Sequence, residues 1–195
     1  MDTCKPTTWD IVIIGGGAAG LATGIFAAQH AQENNSRPVR VVILDGARKL
    51  GSKILVSGGG RCNVTNQHMS EADFHGPPNI IRRLLRAFSH KQAAAWFESL
   101  GVPLKTEPTG KLFPESDSAN CVLKALLARS ESLGITIKSQ HRALKVTIDN
   151  TRSLCKVQTT KQNFDAHLVV LATGGKSLPK SGSDGFGFSL AQKLG

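Results

Sequence analysis

Residues 9–45 constrain the fold more tightly than any other part of the chain. They read WDIVIIGGGAAGLATGIFAAQH and, after a polar break, VRVVILDG. Residues 11–14 form a continuous apolar run, the pattern of a parallel strand covered on both faces. Gly15, Gly17 and Gly20 follow at G-x-G-x-x-G spacing and open a helical pattern. The first glycine permits a tight turn, the second lets a diphosphate approach the backbone, and the third lets the helix pack close to the strand. The helix N-terminus then offers free N–H groups and its positive dipole end to phosphate. Asp45 ends a second apolar run, 25 positions after Gly20, where a carboxylate can accept hydrogen bonds from ribose hydroxyls. The segment therefore predicts a βαβ dinucleotide-binding unit. In a chain with 20 glycines the fingerprint alone is weak evidence, so the flanking strand, helix and acid carry the reading. The plainer alternative is a glycine-rich strand-to-helix turn without a ligand. Glycines at 15, 16, 17, 20 and 24 argue against a membrane span here, and no flanking charge pattern supports one.

A length of 195 residues suffices for one α/β domain with a sizeable core, and 40% hydrophobic with 19% charged residues is ordinary for a globular chain. The first ten residues are polar, so they predict no signal peptide and a cytoplasmic protein. Cys4, Cys62, Cys121 and Cys155 include no C-x-x-C pair, and none has zinc-ligand spacing with the six histidines. Reduced, isolated thiols and no metal site are expected. The net charge of +10 invites a nucleic-acid reading, but the basic residues are dispersed and there is no tyrosine. A basic surface suited to phosphate-bearing cofactors is the reading adopted, with no specific nucleic acid and no membrane as partner.

Further along, residues 46–66 read as a long glycine-rich loop. Residues 79–88 and 90–100 read as short amphipathic helices. Ile80, Ile81, Leu84, Leu85 and Phe88 form a stripe expected to be core. A hairpin is expected at 104–114, turning at Thr109-Gly110, and a helix from Asp117 or Ser118 to Leu133, stopped by Gly134. Strands follow at 135–139, 142–149, 152–160 and 167–175, with Phe164 as a short edge element and a final turn-helix. A three-stranded antiparallel meander before the last parallel strand favours FAD over NAD. GGKS at 174–177 is no P-loop, because the required earlier glycine is Val170.

Four stretches carry a more specific resemblance: DIVIIGGGAAGL (10–21), KILVSGGGRCNVTN (53–66), GVPLKTEPTGKLFP (101–114) and LVVLATGGKSLPKSGSDGFGF (168–188). In these the chain resembles the YhiN/BaiN-like NAD(P)/FAD-dependent oxidoreductases, the aminoacetone-oxidase-family FAD-binding enzymes. The resemblance implies an α/β, glutathione-reductase-like FAD-binding Rossmann fold with an antiparallel meander and a small helical insertion at about 67–133. It implies a flavoprotein oxidoreductase acting on a small organic substrate, with FAD as cofactor and NAD(P)H as candidate electron donor in full-length members. By similarity, Gly15, Gly17, Ala18, Ala19 and Gly20 line the pyrophosphate and Asp45 holds the ribose. The loop of Ser57, Gly58, Gly59, Gly60, Arg61, Cys62 and Asn63 runs toward the flavin, and Ala172, Thr173 and Gly174 close over the cofactor. Two departures stand out. Family members often read GSTGDGY where this chain has GSDGFGF, so the resemblance assigns no role to Asp184 or Phe188. They also continue past position 195 through a further domain and a C-terminal FAD-binding segment, so the chain is expected to be an N-terminal part, with self-association through surface left uncovered. A catalytically inactive truncated nucleotide-binding protein is the alternative. The meander and the SGGGRCN loop argue against an NAD-only dehydrogenase.

Several side chains carry two readings. Arg61 pairs with cofactor phosphates or reduced flavin, or it braces its loop. Cys62 is a reactive thiol or small packing. Asn63 and Asn66 bond flavin or fix turns. Glu107 reads as a solvated charge rather than a base. No catalytic residue is assignable.

Overall fold

A computed structural model of the chain describes residues 8–177 and 184–195. Cys4 and the 178–183 part of the final motif lie outside the described residues. In chain order the elements are β1 (Trp9–Ile14), α1 (Ala18–Glu33), β2 (Val41–Leu44), α2 (Ser52–Val56), a 3-10 turn (Ser57–Gly60), β3 (Thr65–Asn66), a second 3-10 turn (Glu71–Asp73), α3 (Pro78–Ala87), α4 (His90–Ser99), β4 (Leu104–Thr106), β5 (Lys111–Pro114), α5 (Ala119–Ser132), β6 (Thr136–Lys138), β7 (Ala143–Asp149), β8 (Leu154–Thr159), β9 (Asn163–Leu171) and α6 (Phe186–Gln192). They divide into two compact units, Met1–Lys53 with Leu127–Gly195, and Ile54–Leu126.

The first unit holds a six-stranded sheet in the order β6-β2-β1-β9-β8-β7. The β6, β2, β1 and β9 strands are parallel; β7, β8 and β9 are antiparallel. Every residue of β2 is buried, as its unbroken VVIL requires for a strand covered on both faces. In register, Val12 sits between Val42 and Val169. Val12, Ile14, Val42 and Leu44 cluster with Val146, Val157, Phe164, Ala166 and Leu190. Each valine, leucine, isoleucine or phenylalanine among them contributes about 1.5–3 kcal/mol by leaving water. Small residues let α1 lie close to the sheet: a Cβ on Gly24 would already stand 3.2 Å from Ile43 Cδ1.

The second unit pairs β3, β5 and β4 in a short antiparallel sheet with Leu112 opposite both Thr65 and Thr106. Phe113, Val102 and Val122 are buried there. The hairpin turns at Gly110, whose φ of 81° suits glycine.

The α/β class, the βαβ unit and the meander hold, with four corrections. The 135–139 segment is no meander strand: β6 joins the parallel sheet beside β2, and the third meander strand is β9 itself. Phe164 is not a separate edge element but lies inside β9, which starts at Asn163 and ends at Leu171 rather than running to position 175. The 46–66 segment is not all loop, because it contains α2 and a 3-10 turn. The apolar stripe of α3 is not core: the helix has no buried residue, and Ile80 and Leu84 are 53% and 64% exposed. Amphipathic spacing reports that one face is apolar, not that the chain itself supplies the cover.

Candidate functional site

The glycine turn joins β1 to α1 at the C-terminal ends of the parallel strands, where open α/β sheets place their ligands. Gly15 donates its N–H to the Leu44 carbonyl at 2.7 Å, and Ala172 donates to the Ile14 carbonyl at 2.8 Å. The turn is thereby sewn to the ends of β2 and β9. Gly15 has a φ of 116°, and any Cβ there would run into the Ala172 carbonyl. A Cβ on Gly20 would run into the Gly15 carbonyl oxygen. Protein packing alone therefore demands glycine at these two positions.

Gly17 differs. Its φ is −87°, an ordinary value, and a Cβ there would meet nothing within 4 Å. It occupies the N-cap of α1, where no side chain caps the helix and no acid stands in the first turn. Ala18 and Ala19 beside it are exposed. A 16-residue helix thus presents uncapped N–H groups and a positive dipole end to open space. An uncapped helix start of this kind has the donors and the dipole that favour phosphate groups.

Asp45 follows β2. One carboxylate oxygen accepts the Gly16 N–H at 2.7 Å, and the other accepts the Ala47 N–H, also at 2.7 Å. Its backbone donates to the Lys138 carbonyl and accepts from His141 N–H. The acid is legible in the sequence; the amides it holds are not. Ala172, Thr173 and Gly174 come directly after the end of β9 rather than inside the strand. Thr173 turns its hydroxyl against Gly187 of α6, where a Cβ would collide with it, so the Thr173 side chain faces the protein. Asp184 accepts from Arg142 at 2.6 Å and from the Phe186 N–H at 3.0 Å, so this acid steadies the start of α6. The Arg142 hydrogen bond holds its carboxyl below the usual carboxylate range. Phe188 is 56% exposed. A separate cleft of about 510 Å³, lined by Leu50, Leu127, Glu131, Gly134, Ile135, Ile137 and Ser139, contains none of the expected site residues.

In the second unit, Gly58, Gly59 and Gly60 all take positive φ, at 55°, 69° and 87°. Cys62 does so as well, at 64°. The side chains that follow are committed to the unit itself. Arg61 pairs with Glu107, stands 3.7 Å from Asp117, and lies 4.1 Å above the Phe113 ring. The Glu107 hydrogen bond raises the guanidinium above its usual range. Glu107 is thus not merely a solvated charge but the partner of Arg61. Asp117 is held low, first by its hydrogen bond from Lys105. Cys62 is buried, and that burial pushes its thiol up, against the reactive reading. With its amide nitrogen turned inward, Asn63 donates to the carbonyls of Thr65 at 2.8 Å and Leu112 at 3.2 Å, which is turn fixing. Asn66 Oδ1 receives only a long 3.5 Å contact from the His68 N–H. The Glu107 and Asp117 partners lie 46 and 56 positions from Arg61, beyond any local pattern. Among the described residues Cys62, Cys121 and Cys155 are free thiols, no acid, histidine or cysteine cluster could hold a metal, and no helix is long and apolar enough to cross a membrane.

Comparison with known proteins adds what geometry cannot. Residues 9–195 match the family model described as the HI0933-like protein Rossmann domain. The 3-dehydro-bile acid delta(4,6)-reductase of Clostridium scindens is 36% identical over 188 residues, 95% of this chain and 44% of that protein. The ribosomal RNA dihydrouridine synthase of Escherichia coli is 30% identical over 188 residues, 96% of this chain and again 44% of that protein. The chain thus spans less than half the length of these relatives. Among solved structures, the 3-ketosteroid-delta4-(5alpha)-dehydrogenase of Rhodococcus jostii superposes with a TM-score of 0.62 at 17% identity, over 89% of this chain and 47% of that one. That likeness is one of fold.

Proposed function

The chain belongs to the HI0933-like Rossmann family, and from that premise we propose that it is the FAD-binding portion of a flavoprotein oxidoreductase. The observation that carries this reading is Gly17, a glycine that neither backbone conformation nor protein packing requires, set at the uncapped start of α1. A diphosphate in that space supplies the missing reason. Gly15, Gly17, Ala18, Ala19 and Gly20 would present the backbone to it, with Asp45 beside the adenosine ribose and Ala172, Thr173 and Gly174 contributing backbone after β9. In the glycine-rich turn of the second unit the part proposed is backbone at Gly59, Gly60 and Asn63, since the Asn63 side chain serves its own unit. Arg61 and Cys62 would shape the turn, because both give their N–H groups to the Ser57 carbonyl, the Arg61 side chain pairs with Glu107 and Cys62 is buried. Bound FAD would supply hydride transfer at its isoalloxazine; the protein's part is to hold and orient it. NAD(P)H is the proposed electron source for the longer enzyme. Asp45 disfavours a 2′-phosphate at the turn itself.

The substrate proposed is a small organic molecule, the class named for the more similar relative. One set of observations favours a second reading, a base within RNA. Two relatives bear the name ribosomal RNA dihydrouridine synthase, the net charge is +10, and Arg83 and Arg86 stand exposed on α3. Gel-shift titration with ribosomal RNA fragments at stepped salt separates the two readings.

The central test is FAD titration by calorimetry on this chain and on its Gly17→Leu variant. Wild type should bind, and the variant should lose at least about tenfold while its melting temperature holds, because a Cβ at this position meets no protein atom within 4 Å. A wild-type chain that takes up no FAD overturns the reading.

A further inference from the structure

Asp45 sits where the fold leads one to expect a reader of ribose, yet both of its carboxylate oxygens are engaged by the chain's own backbone. Oδ2 accepts the Gly16 N–H and Oδ1 accepts the Ala47 N–H, each at 2.7 Å. The short distances are those of charge-assisted bonds. The main chain that carries the carboxylate is also fixed. Its own N–H donates to Lys138 O at 3.0 Å, and its carbonyl accepts the His141 N–H at 2.8 Å, so both sides of the residue are locked into the edge of the sheet. Gly16 is confined as well, since a Cβ there would stand 3.1 Å from Asp45 Oδ2 and closer still to Leu50 Cδ2. The middle glycine of the turn therefore has one amide direction available, and Asp45 fixes it.

We propose that Asp45 is a positioning residue. It clamps the Gly16 amide to the loop after β2, and so presets the turn whose remaining amides face the diphosphate. The inference rests on the diphosphate reading of the glycine turn. It assigns Asp45 an effect on phosphate affinity that acts through the backbone and is present before any ribose arrives. Electrostatics makes the idea separable. A carboxylate near a diphosphate repels it, so removing the charge should tighten binding of a bare anion if charge is all that matters. If the clamp matters more, removal weakens binding instead.

The experiment uses inorganic pyrophosphate, which has no ribose, alongside ADP, on wild type, Asp45→Ala and Asp45→Asn. Amide hydrogen exchange at Gly16 and Ala47 is followed in the ligand-free chains. The expected result is exchange at both amides faster by about tenfold or more in Asp45→Ala. Pyrophosphate and ADP should weaken by similar factors, despite the lost negative charge. Asp45→Asn keeps one acceptor oxygen and should fall between, with one amide still protected, which guards against a poorly folded alanine variant. Unchanged exchange, or pyrophosphate binding that is unchanged or tighter while ADP alone weakens, would overturn the clamp and leave Asp45 a ribose reader. If wild type binds neither anion, the diphosphate reading fails, and the exchange data still decide whether Asp45 holds the turn.

Discussion

The chain has two glycine-rich turns, and they use glycine for different physical reasons. In the turn after β1, glycine supplies closeness: Gly15 and Gly20 sit where a single Cβ would strike a backbone carbonyl. In the turn after α2, glycine supplies conformation. Gly58, Gly59 and Gly60 run in left-handed backbone, and around Gly59 there is empty space. One motif is a packing constraint that leaves a single open position, Gly17; the other is a backbone path whose following side chains fold back on their own unit. A count of glycines treats the two alike. The positions a Cβ would reach do not.

The sharpest way to break this comparison is Gly20→Ala. With a backbone oxygen as the obstacle, the cost should reach the upper end of overpacking, about 3 kcal/mol. Urea unfolding would show a lowered midpoint at unchanged slope. A variant as stable as wild type would mean that α1 is free to shift and that closeness is not what Gly20 provides.

The second turn should respond in two grades. Gly59→Ala, at φ 69° with no neighbour, should cost only the left-handed strain of about 1–2 kcal/mol. Gly58→Ala adds contact with Phe113 Cε1 at 2.7 Å and Asn63 N at 2.9 Å, so it should lose more, about 2–3 kcal/mol. Equal losses at the two positions would show that conformation alone governs this turn.

These contrasts mark what was legible in the sequence. Unbroken apolar runs announced β1 and β2, because strands buried on both faces leave no polar positions. The 11-residue spacing from Asp45 to Val56 could not announce α2, a five-residue helix hidden among glycines and lysines. β6 was misread as a meander strand because three residues, Thr136, Ile137 and Lys138, carry no mark of parallel or antiparallel pairing; the partner decides. The α3 stripe was seen correctly as apolar but assigned to the core, and only its surroundings could say that the face is exposed. At the candidate site, the positions of Gly15, Gly17, Gly20 and Asp45 were legible because a motif fixes their spacing. The partners of Arg61 were not. An ion pair bridging 46 residues depends on the hairpin that carries Glu107, and hydrophobic periodicity says nothing about which charges will meet.

Arg61 tests the claim that side chains in the second turn serve their own unit. Arg61→Met keeps an aliphatic side chain but removes the guanidinium that lies over Phe113 and releases Glu107 and Asp117. A modest fall in melting temperature, reduced further by salt in wild type, is expected, with FAD affinity nearly unchanged. Loss of FAD binding at constant melting temperature would instead put the guanidinium on the cofactor.

The smallest expected effect lies far from both turns, at the start of β1. Asp10 accepts two hydrogen bonds from Arg37, at 2.9 and 2.5 Å, and one from the Arg40 N–H at 2.8 Å. The Arg37 bond is the main reason its carboxyl falls from 3.8 to about 2. A depressed folded-state value means that the stabilisation is fully present above the unfolded value and disappears as pH falls through the folded one. The contribution should therefore be intact at neutral pH and lost between 3.8 and about 2. Because the Arg37 side chain is 70% exposed, the effect is that of a screened surface pair. Asp10→Asn should lower the melting temperature by about 2 °C at pH 7, and the gap to wild type should close as the pH approaches 2. A gap that persists at the acid end would mean that charge is not what Asp10 contributes, because a protonated aspartic acid and an asparagine both leave Arg37 without an anionic partner and both can still accept the Arg40 N–H.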